Sequence, residues 1–283
     1  MYEFFQDQLQ EIERNIPAAR PAEIPGLFEG IPIDFFGRLL LDAPAAYPNI
    51  RTFLPGMPSE EVQRNWAGAD SYTLMLQSLA AIKTIVPRYE EVTGRNIRDA
   101  AILDFGCGWG RLTRLLYKYT STENLYGVDP WDSSLEECRK HGLKIQLAKS
   151  EDIPTTLPFR HKFDLIFAFS IFTHLSEKTA HAVMKALRLS IADQGMLMIT
   201  VRPMVFWDFF DGGKPTPEIL EQHARTGFAF RPHARPPVGG EVTFGDTSIS
   251  LGYIRKNFPD WKIACVDWSM GDPYQMLVSL KPA

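Results

Sequence analysis

Cysteine is scarce in this chain: three residues in 283, Cys107, Cys138 and Cys265, with no C-x-x-C pair among them. An odd, scattered set excludes a disulfide framework and a paired-thiol metal site, and it predicts reduced thiols in a cytoplasmic protein. An excess of positive charge is also missing. Thirty Lys and Arg against 34 Asp and Glu leave a net charge of −4, which provides no electrostatic footprint for nucleic acid or an anionic membrane. The longest apolar run, near Leu165 to Phe172, falls far short of the roughly 20 residues that cross a bilayer. The N-terminal Met1-Tyr-Glu-Phe-Phe-Gln-Asp-Gln is too polar for a secretory signal. The six histidines form no H-x-x-x-H or H-E-x-x-H spacing, so no metal site is expected. Neither a G-x-S-x-G elbow nor a P-loop lysine occurs. No internal repeat or low-complexity segment breaks the chain.

What is present is a 45% hydrophobic chain with ample material for a core and one dense motif. Ala101-Ile-Leu-Asp-Phe-Gly-Cys-Gly-Trp-Gly110 reads as a buried strand, a glycine-rich turn and a helix start. Leu112, Leu115, Leu116 and Tyr119 mark that helix by their spacing of i, i+3, i+4 and i+7. Alternating Gly106, Gly108 and Gly110 let the backbone bend tightly and bring its N–H groups close to a ligand. The dinucleotide fingerprint G-x-G-x-x-G is not met, because Arg111 or Thr113 stands where its third glycine belongs. That counts against a nicotinamide-dependent oxidoreductase. Leu125-Tyr-Gly-Val-Asp129 is a second short strand ending in a carboxylate about 20 residues after the turn, placed to accept hydrogen bonds from ribose hydroxyls. The competing reading of Asp129 is an Asp-Pro turn starter with Pro130.

The surrounding chain falls into an extension and an alternating core. Residues 1–96 precede the first strand and read as a helical N-terminal extension, a cap or lid. They hold a short helix at Gln8–Asn15 and a proline-rich stretch over 17–58. A helix start follows at Ser59 with Glu60 and Glu61 in its first turn, then a helix with Leu76, Leu79, Ile82 and Val86 on one stripe. Residues 97–283 alternate strand and helix. Ser133-x-x-Glu136 reads as a capping box for a helix that ends at Gly142, and Lys144–Ala148 as a third strand. Phe163–Phe169 is a buried fourth strand. A helix with Ala180, Val183, Met184, Leu187 and Ile191 follows, then a turn ending at Gly195 and a fifth strand at Met196–Val201. Residues 202–250 break the alternation with Pro203, Pro215, Pro217, Pro232, Pro236 and Pro237 and the pairs Gly212-Gly213 and Gly239-Gly240. A segment of this kind inside a domain is usually functional, so it is expected to be a substrate lid. Tyr253–Phe258 resumes a helix before a closing strand pair at Trp261–Trp268 and Gln275–Leu280.

Asp104-Phe-Gly-Cys-Gly-Trp-Gly110, Gly127-Val-Asp129, Phe163-Asp-Leu-Ile-Phe-Ala-Phe-Ser170 and Asp193-Gln-Gly195, in this order and spacing, resemble the class I S-adenosylmethionine-dependent methyltransferases over roughly Ile97 to Val201. The resemblance implies an α/β, Rossmann-like sheet of seven mostly parallel strands with helices on both faces and a final antiparallel hairpin. It also implies the cofactor S-adenosylmethionine at the carboxyl ends of the first two strands. Gly106, Gly108 and Gly110 would line its methionine portion, with Arg111 near the carboxylate and Asp104 orienting the loop or the ammonium. Cys107 is a small side chain packed under the loop. Asp129 and Pro130 would meet the ribose, and Trp131 the adenine or the core. One of Ser150, Glu151 and Asp152 would reach the adenine amino group. Phe169 and Ser170 would lie beneath the transferable methyl.

His174 and His233 are the candidate proton acceptors, since histidine titrates near neutrality. For His174 the rival reading is a hydrogen-bonding role at a helix start, where the family often has His-Leu; for His233 it is an ordinary polar loop position. Trp207, Phe209, Phe210, Phe228 and Phe230 would wall an apolar acceptor pocket or form the core of the insertion. The chain thus reads as a methyltransferase for a small-molecule acceptor, most naturally at oxygen on a sugar, phenol or secondary metabolite. Transfer to nitrogen or carbon, on a small molecule or a protein, and a non-catalytic binding role are the alternatives. The sequence sets no oligomeric state.

Overall fold

Ser59 opens a helix as its type and neighbours predict: its Oγ accepts a hydrogen bond from the Val62 N–H at 3.3 Å, and Glu60 and Glu61 sit in the first turn. Replacing Ser59 with alanine should lower the free energy of unfolding by about 1 kcal/mol in a urea titration. An unchanged midpoint would show that the cap is idle.

The computed structural model describes residues 2–210, 216–269 and 272–283. Gly212, Gly213 and Pro215 of the insertion lie outside the described residues. The chain divides into two compact units, Met1–Lys149 and Ser150–Ala283.

The first unit begins with six helices, α1 (Gln6–Asn15), α2 (Ile24–Leu27), α3 (Ile33–Asp42), α4 (Pro48–Phe53), α5 (Glu60–Ala67) and α6 (Ser71–Thr93). It continues through β1 (Ile102–Phe105), α7 (Thr113–Leu116), β2 (Leu125–Asp129), α8 (Asp132–Lys140) and β3 (Gln146–Lys149). The three strands pair in parallel, with Asp104 beside Gly127 and Gly127 beside Leu147. Aromatic rings join α4 to this core, Phe28 to Phe53 at 5.8 Å and Phe53 to Tyr117 at 5.5 Å. Polar ties add to them: Lys118 Nζ donates to the Phe28 carbonyl at 2.7 Å, Lys144 Nζ to that of Thr52 at 3.1 Å, and the Gly56 N–H to that of His141 at 2.9 Å. Residues 28–56 are therefore fastened behind the elements that carry the glycine turn.

Three expectations are corrected here. The stripe of α6 is rotated: Leu76 is 64% exposed, while Leu74, Met75, Leu79, Ile82, Ile85, Val86 and Tyr89 are buried. The helix also runs through Pro87 to Thr93. The helix after the glycine turn is a single turn, α7. Leu115, Lys118 and Tyr119 donate to carbonyls three residues back, which tightens the coil out of α geometry. Ser133 and Glu136 make no capping box, because α8 already begins at Asp132. The Asp129 carboxylate holds the Trp131 N–H at 3.0 Å and turns the chain into the helix earlier.

The second unit holds β4 (Phe163–Ala168), α9 (Glu177–Ser190), β5 (Ile191–Val201), α10 (Pro217–Thr226), β6 (Phe228–Pro232), β7 (Gly245–Ile249), α11 (Leu251–Asn257), β8 (Trp261–Ser269) and β9 (Asp272–Pro282). Asp193-Gln-Gly195 is not a turn before β5 but an irregularity inside it. The pairing with β4 jumps from Phe163–Ile191 to Leu165–Met196. Glycine is required at 195 because a Cβ would lie 2.9 Å from the Asp164 carbonyl oxygen. The strand order is β3-β2-β1-β4-β5-β9-β8, seven strands with β9 antiparallel to β5 and β8. This is the expected mostly parallel sheet with a closing hairpin.

The insertion is built rather than irregular. A 3₁₀ turn (Met204–Asp208), α10 and the β6–β7 ribbon bury Phe206, Trp207, Ile219 and Ala229 together. Trp207 and Phe228 are thus core residues, whereas Phe209 is exposed against Tyr274. Among the described residues no helix is long and apolar enough to cross a membrane.

Candidate active site

The glycine turn folds onto β2 by main-chain bonds. The Gly106 and Cys107 N–H groups both donate to the Val128 carbonyl, at 2.8 and 3.0 Å, and the Gly110 N–H closes the turn on Cys107 at 2.8 Å. All three alternating glycines have positive φ, 73°, 53° and 76°, a region that costs an L-residue roughly 1–2 kcal/mol. A Cβ at Gly110 would lie 2.4 Å from Leu143 Cδ2, so this glycine serves packing. A Cβ at Gly108 would meet nothing within 4 Å, so this stretch of backbone is open to close approach.

Asp129 is buried and ties the two strand ends together: Oδ2 accepts from the Gly108 N–H at 2.9 Å and Oδ1 from the Trp131 N–H at 3.0 Å. Pro130 is half-buried and Trp131 is 41% exposed, so Trp131 is not a core tryptophan. Arg111 is half-buried at the start of the α7 segment.

Asp104 is buried and accepts the Thr113 hydroxyl at 2.6 Å. Burial pushes its carboxyl up to about 7, against the Thr113 bond and with a further push from Asp129. An acid raised in this way costs the folded state nothing below its unfolded value, near 4; stability is lost as pH climbs from there to about 7. Asp104→Asn should therefore remove a downward slope in melting temperature between pH 4 and 7 and stabilise the free protein at pH 8. Parallel melting curves of wild type and variant across that range would refute this burden. A cationic ligand group at Asp104 would reverse it.

Cys107 is a packed, protonated thiol. Its contact with Cys138, then its burial, raise its pKa. Cys138 Sγ donates to the Gly108 carbonyl from below at 3.2 Å. Arg114 has no counterpart in the sequence reading. It is fully buried, stacks over the Trp109 ring at 4.9 Å, and donates to the carbonyls of Trp109 and Gly56. Burial lowers its pKa to about 10, so it stays cationic at neutral pH. Only its place four residues past Gly110, inside an apolar stripe, could have signalled it.

In the second unit, Ser150 is buried, Asp152 half-buried and Glu151 exposed. Phe169 and Ser170 follow β4 and are half-buried. Ser170 holds φ at +58°, with its N–H on Thr200 Oγ1 at 2.6 Å and its hydroxyl donating to Gln275 Oε1 at 2.8 Å. Such strain at a strand end persists only where the surroundings over-determine it.

His174 is locked. Nδ1 lies 2.7 Å from the Gly245 carbonyl, which only accepts, so Nδ1 carries the proton. Nε2 faces Arg202 Nη2 at 3.5 Å, and the ring stacks on Phe244 at 4.9 Å. Burial, then the Arg202 charge, depress its pKa to about 4, leaving it neutral at physiological pH. His233 differs: Nε2 lies 2.7 Å from Asp246 Oδ2, and Arg202 Nη1 donates to Asp246 Oδ1 at 2.6 Å. Neither Arg202 nor Asp246 was marked by a motif. Only the ribbon pairing and the end of β5 bring them together. His223, by contrast, is spent on Ser248 Oγ at 2.7 Å. Among the described residues no cluster of His, Cys, Asp and Glu is suited to a metal ion.

Residues 102–195 match the model of a methyltransferase domain. The chain is 28% identical over 181 residues to a malonyl-[acyl-carrier protein] O-methyltransferase of Brevibacillus brevis, over 60% of this chain. It spans 63% of the length of that curated relative. An S-adenosylmethionine-dependent methyltransferase of Clostridium acetobutylicum shares the fold at TM-score 0.53 and 15% identity, over 79% of this chain and 96% of that one. Magnesium protoporphyrin IX methyltransferase of Synechocystis PCC 6803, solved with bound S-adenosylhomocysteine, does so at TM-score 0.50 and 14% identity, over 79% and 94%. Residues 102–195 thus form a methyltransferase domain, and the seven-stranded sheet, the glycine turn and the carboxylate closing β2 give the chain the fold of the class I S-adenosylmethionine-dependent methyltransferases, whose cofactor is S-adenosylmethionine.

Proposed function

We propose that the protein transfers the methyl group of S-adenosylmethionine to a hydroxyl oxygen of a small molecule, such as a sugar, a phenol or a secondary metabolite. The observation that carries this reading is the cradle itself: three positive-φ glycines whose middle amide is held by the Asp129 carboxylate. The cofactor supplies an activated methyl on a sulfonium, with a neutral thioether as leaving group. The chain's residues bind and align. Asp129 receives the ribose hydroxyls, the Gly106–Gly110 turn lines the methionine portion with Arg111 near its carboxylate, and Asp104 offers its carboxyl to the ammonium. Trp131 stacks on adenine, and one of Ser150, Glu151 and Asp152 takes the adenine amino group. Alignment alone supplies roughly 7–11 kcal/mol in well-oriented reactions. Residues 1–96 act as the cap and 202–250 as the lid that sheds water. The protein works in the cytoplasm.

The malonyl-carrier relative favours a second reading, methylation of a carboxylate oxygen on a carried acyl group, which needs no proton acceptor. Labelled S-adenosylmethionine offered with catechols, phenols, hexoses and a malonyl-carrier conjugate separates the two. Label on a hydroxyl oxygen supports the first; label on the malonyl carboxylate alone overturns it.

A further inference from the structure

Two histidines converge on one carboxylate in the second unit, and the geometry gives them opposite roles. Asp246 is 4% exposed, and each of its oxygens has a dedicated donor, Arg202 at 2.6 Å and His233 at 2.7 Å. Strand pairing sets this up. Asp246 lies directly across β6–β7 from Arg231, and His233, two residues beyond Arg231, returns to the same face. A carboxylate only accepts, so His233 carries its proton on Nε2 and leaves Nδ1 as a lone-pair nitrogen. Its side chain is 38% exposed. His174 has the opposite arrangement, its Nδ1 proton spent on Gly245 and its Nε2 turned to a guanidinium.

We propose that His233 Nδ1 takes the proton of the acceptor hydroxyl and that Asp246, braced by Arg202, is the positioning residue that orients it, while His174 is a strut. This rests on the hydroxyl-methylation reading above. The cluster follows the carboxyl ends of β4 and β5, His174 six residues after the first and Arg202 immediately after the second, where open α/β sheets bind their ligands. In the step, the acceptor O–H bond breaks and its proton moves to Nδ1. The oxygen pair forms the bond to the methyl carbon, and the carbon–sulfur bond breaks with its electrons left on sulfur. The imidazolium is then paired with Asp246 until solvent takes the proton.

The charges around His233 agree with this. Asp246 faces it from β7, with Arg202 behind that carboxylate. The ring of His174 is 6.3 Å away and neutral. Arg231 stands across the ribbon, and Arg235 packs its guanidinium over Phe244, 3.9 Å from the ring centre. Burial alone would raise the Asp246 carboxyl, but the bonds from His233 and Arg202 and the Arg202 charge outweigh it and hold it below its ordinary value. The pair therefore keeps its negative member through the neutral range.

Two measurements test the assignment. Diethyl pyrocarbonate on the wild-type protein, mapped by mass spectrometry at pH 7, should acylate His233 well before His174. Methyl transfer from labelled S-adenosylmethionine to a panel of catechols, phenols and hexoses should fall about 10²-fold or more in His233→Gln and in Asp246→Asn. In Asp246→Asn the loss should fall on kcat with KM little changed, while His174→Gln should keep the wild-type kcat. Acylation of His174 ahead of His233, or an Asp246→Asn protein with the wild-type kcat, overturns the proposal. A wild type that methylates no hydroxyl in the panel overturns the parent reading instead, and the acylation order still judges the pair.

Discussion

Alanine at Asp129 is expected to raise the dissociation constant for S-adenosylhomocysteine by about 10²–10³-fold. A hydrogen bond to a charged group contributes about 1.5–3 kcal/mol. Two ribose hydroxyls on one carboxylate therefore amount to about 3–6 kcal/mol, and the lower part of that range, at about 1.4 kcal/mol per factor of ten, gives the expected loss. The same substitution frees the Gly108 and Trp131 amides that the carboxylate now holds at 2.9 and 3.0 Å, so the loop loses its latch together with the ligand's anchor. Asparagine keeps one acceptor oxygen and should fall between the two. Titration calorimetry with the thioether product is the measurement. An affinity within threefold of wild type would remove Asp129 from the site, and with it the reading of β2 as the ribose edge.

Alanine at Gly245 should be the most damaging small substitution in the second unit, costing about 3 kcal/mol or more. Its Cβ would stand 2.1 Å from the Arg231 carbonyl oxygen and 2.6 Å from Phe230 Cε2. The closest neighbour is main chain of the paired strand, so no rotamer relieves the clash and β6 must part from β7. Overpacking of this kind typically costs about 1–3 kcal/mol, and more where backbone has to move. The Gly245 carbonyl also receives His174 Nδ1, and its N–H donates to the His174 carbonyl at 2.8 Å. Parting the ribbon should therefore release His174 and carry His233 away from Asp246. Gly239→Ala is the control: its φ is positive, 56°, and nothing lies within 4 Å, so about 1–2 kcal/mol of backbone strain is the whole cost. Denaturant midpoints of the two variants compare them. Equal losses would mean that the ribbon gives way without strain.

The glycine turn and the carboxylate that holds it were legible because they are local. Gly106, Gly108, Gly110 and Asp129 lie within 24 residues, and each is chosen by backbone demands that one segment imposes on itself. The buried strand Phe163–Ala168 and the Ser59 cap were legible for the same reason. The misses share another cause. The capping box at Ser133 was lost to a bond from Asp129, and the stripe of α6 was rotated by the partners it packs against; neither contact is written in the segment concerned. Arg114 stayed hidden because a buried arginine that donates to main-chain carbonyls leaves no pattern in composition or spacing.

Sequence alone determined the resemblance to the class I methyltransferases, the strands and helices of the mostly parallel sheet, and the glycine turn with its strand-end carboxylate, since these depend on φ > 0 and on apolar periodicity. Tertiary structure alone decided which partners the histidines meet. His174 and His233 are both candidate proton acceptors as letters of the sequence. Only the pairing of β6 with β7 and the arrival of Arg202 from β5 set one imidazole on a carbonyl and the other on a buried carboxylate. The proton each ring carries follows from that partner.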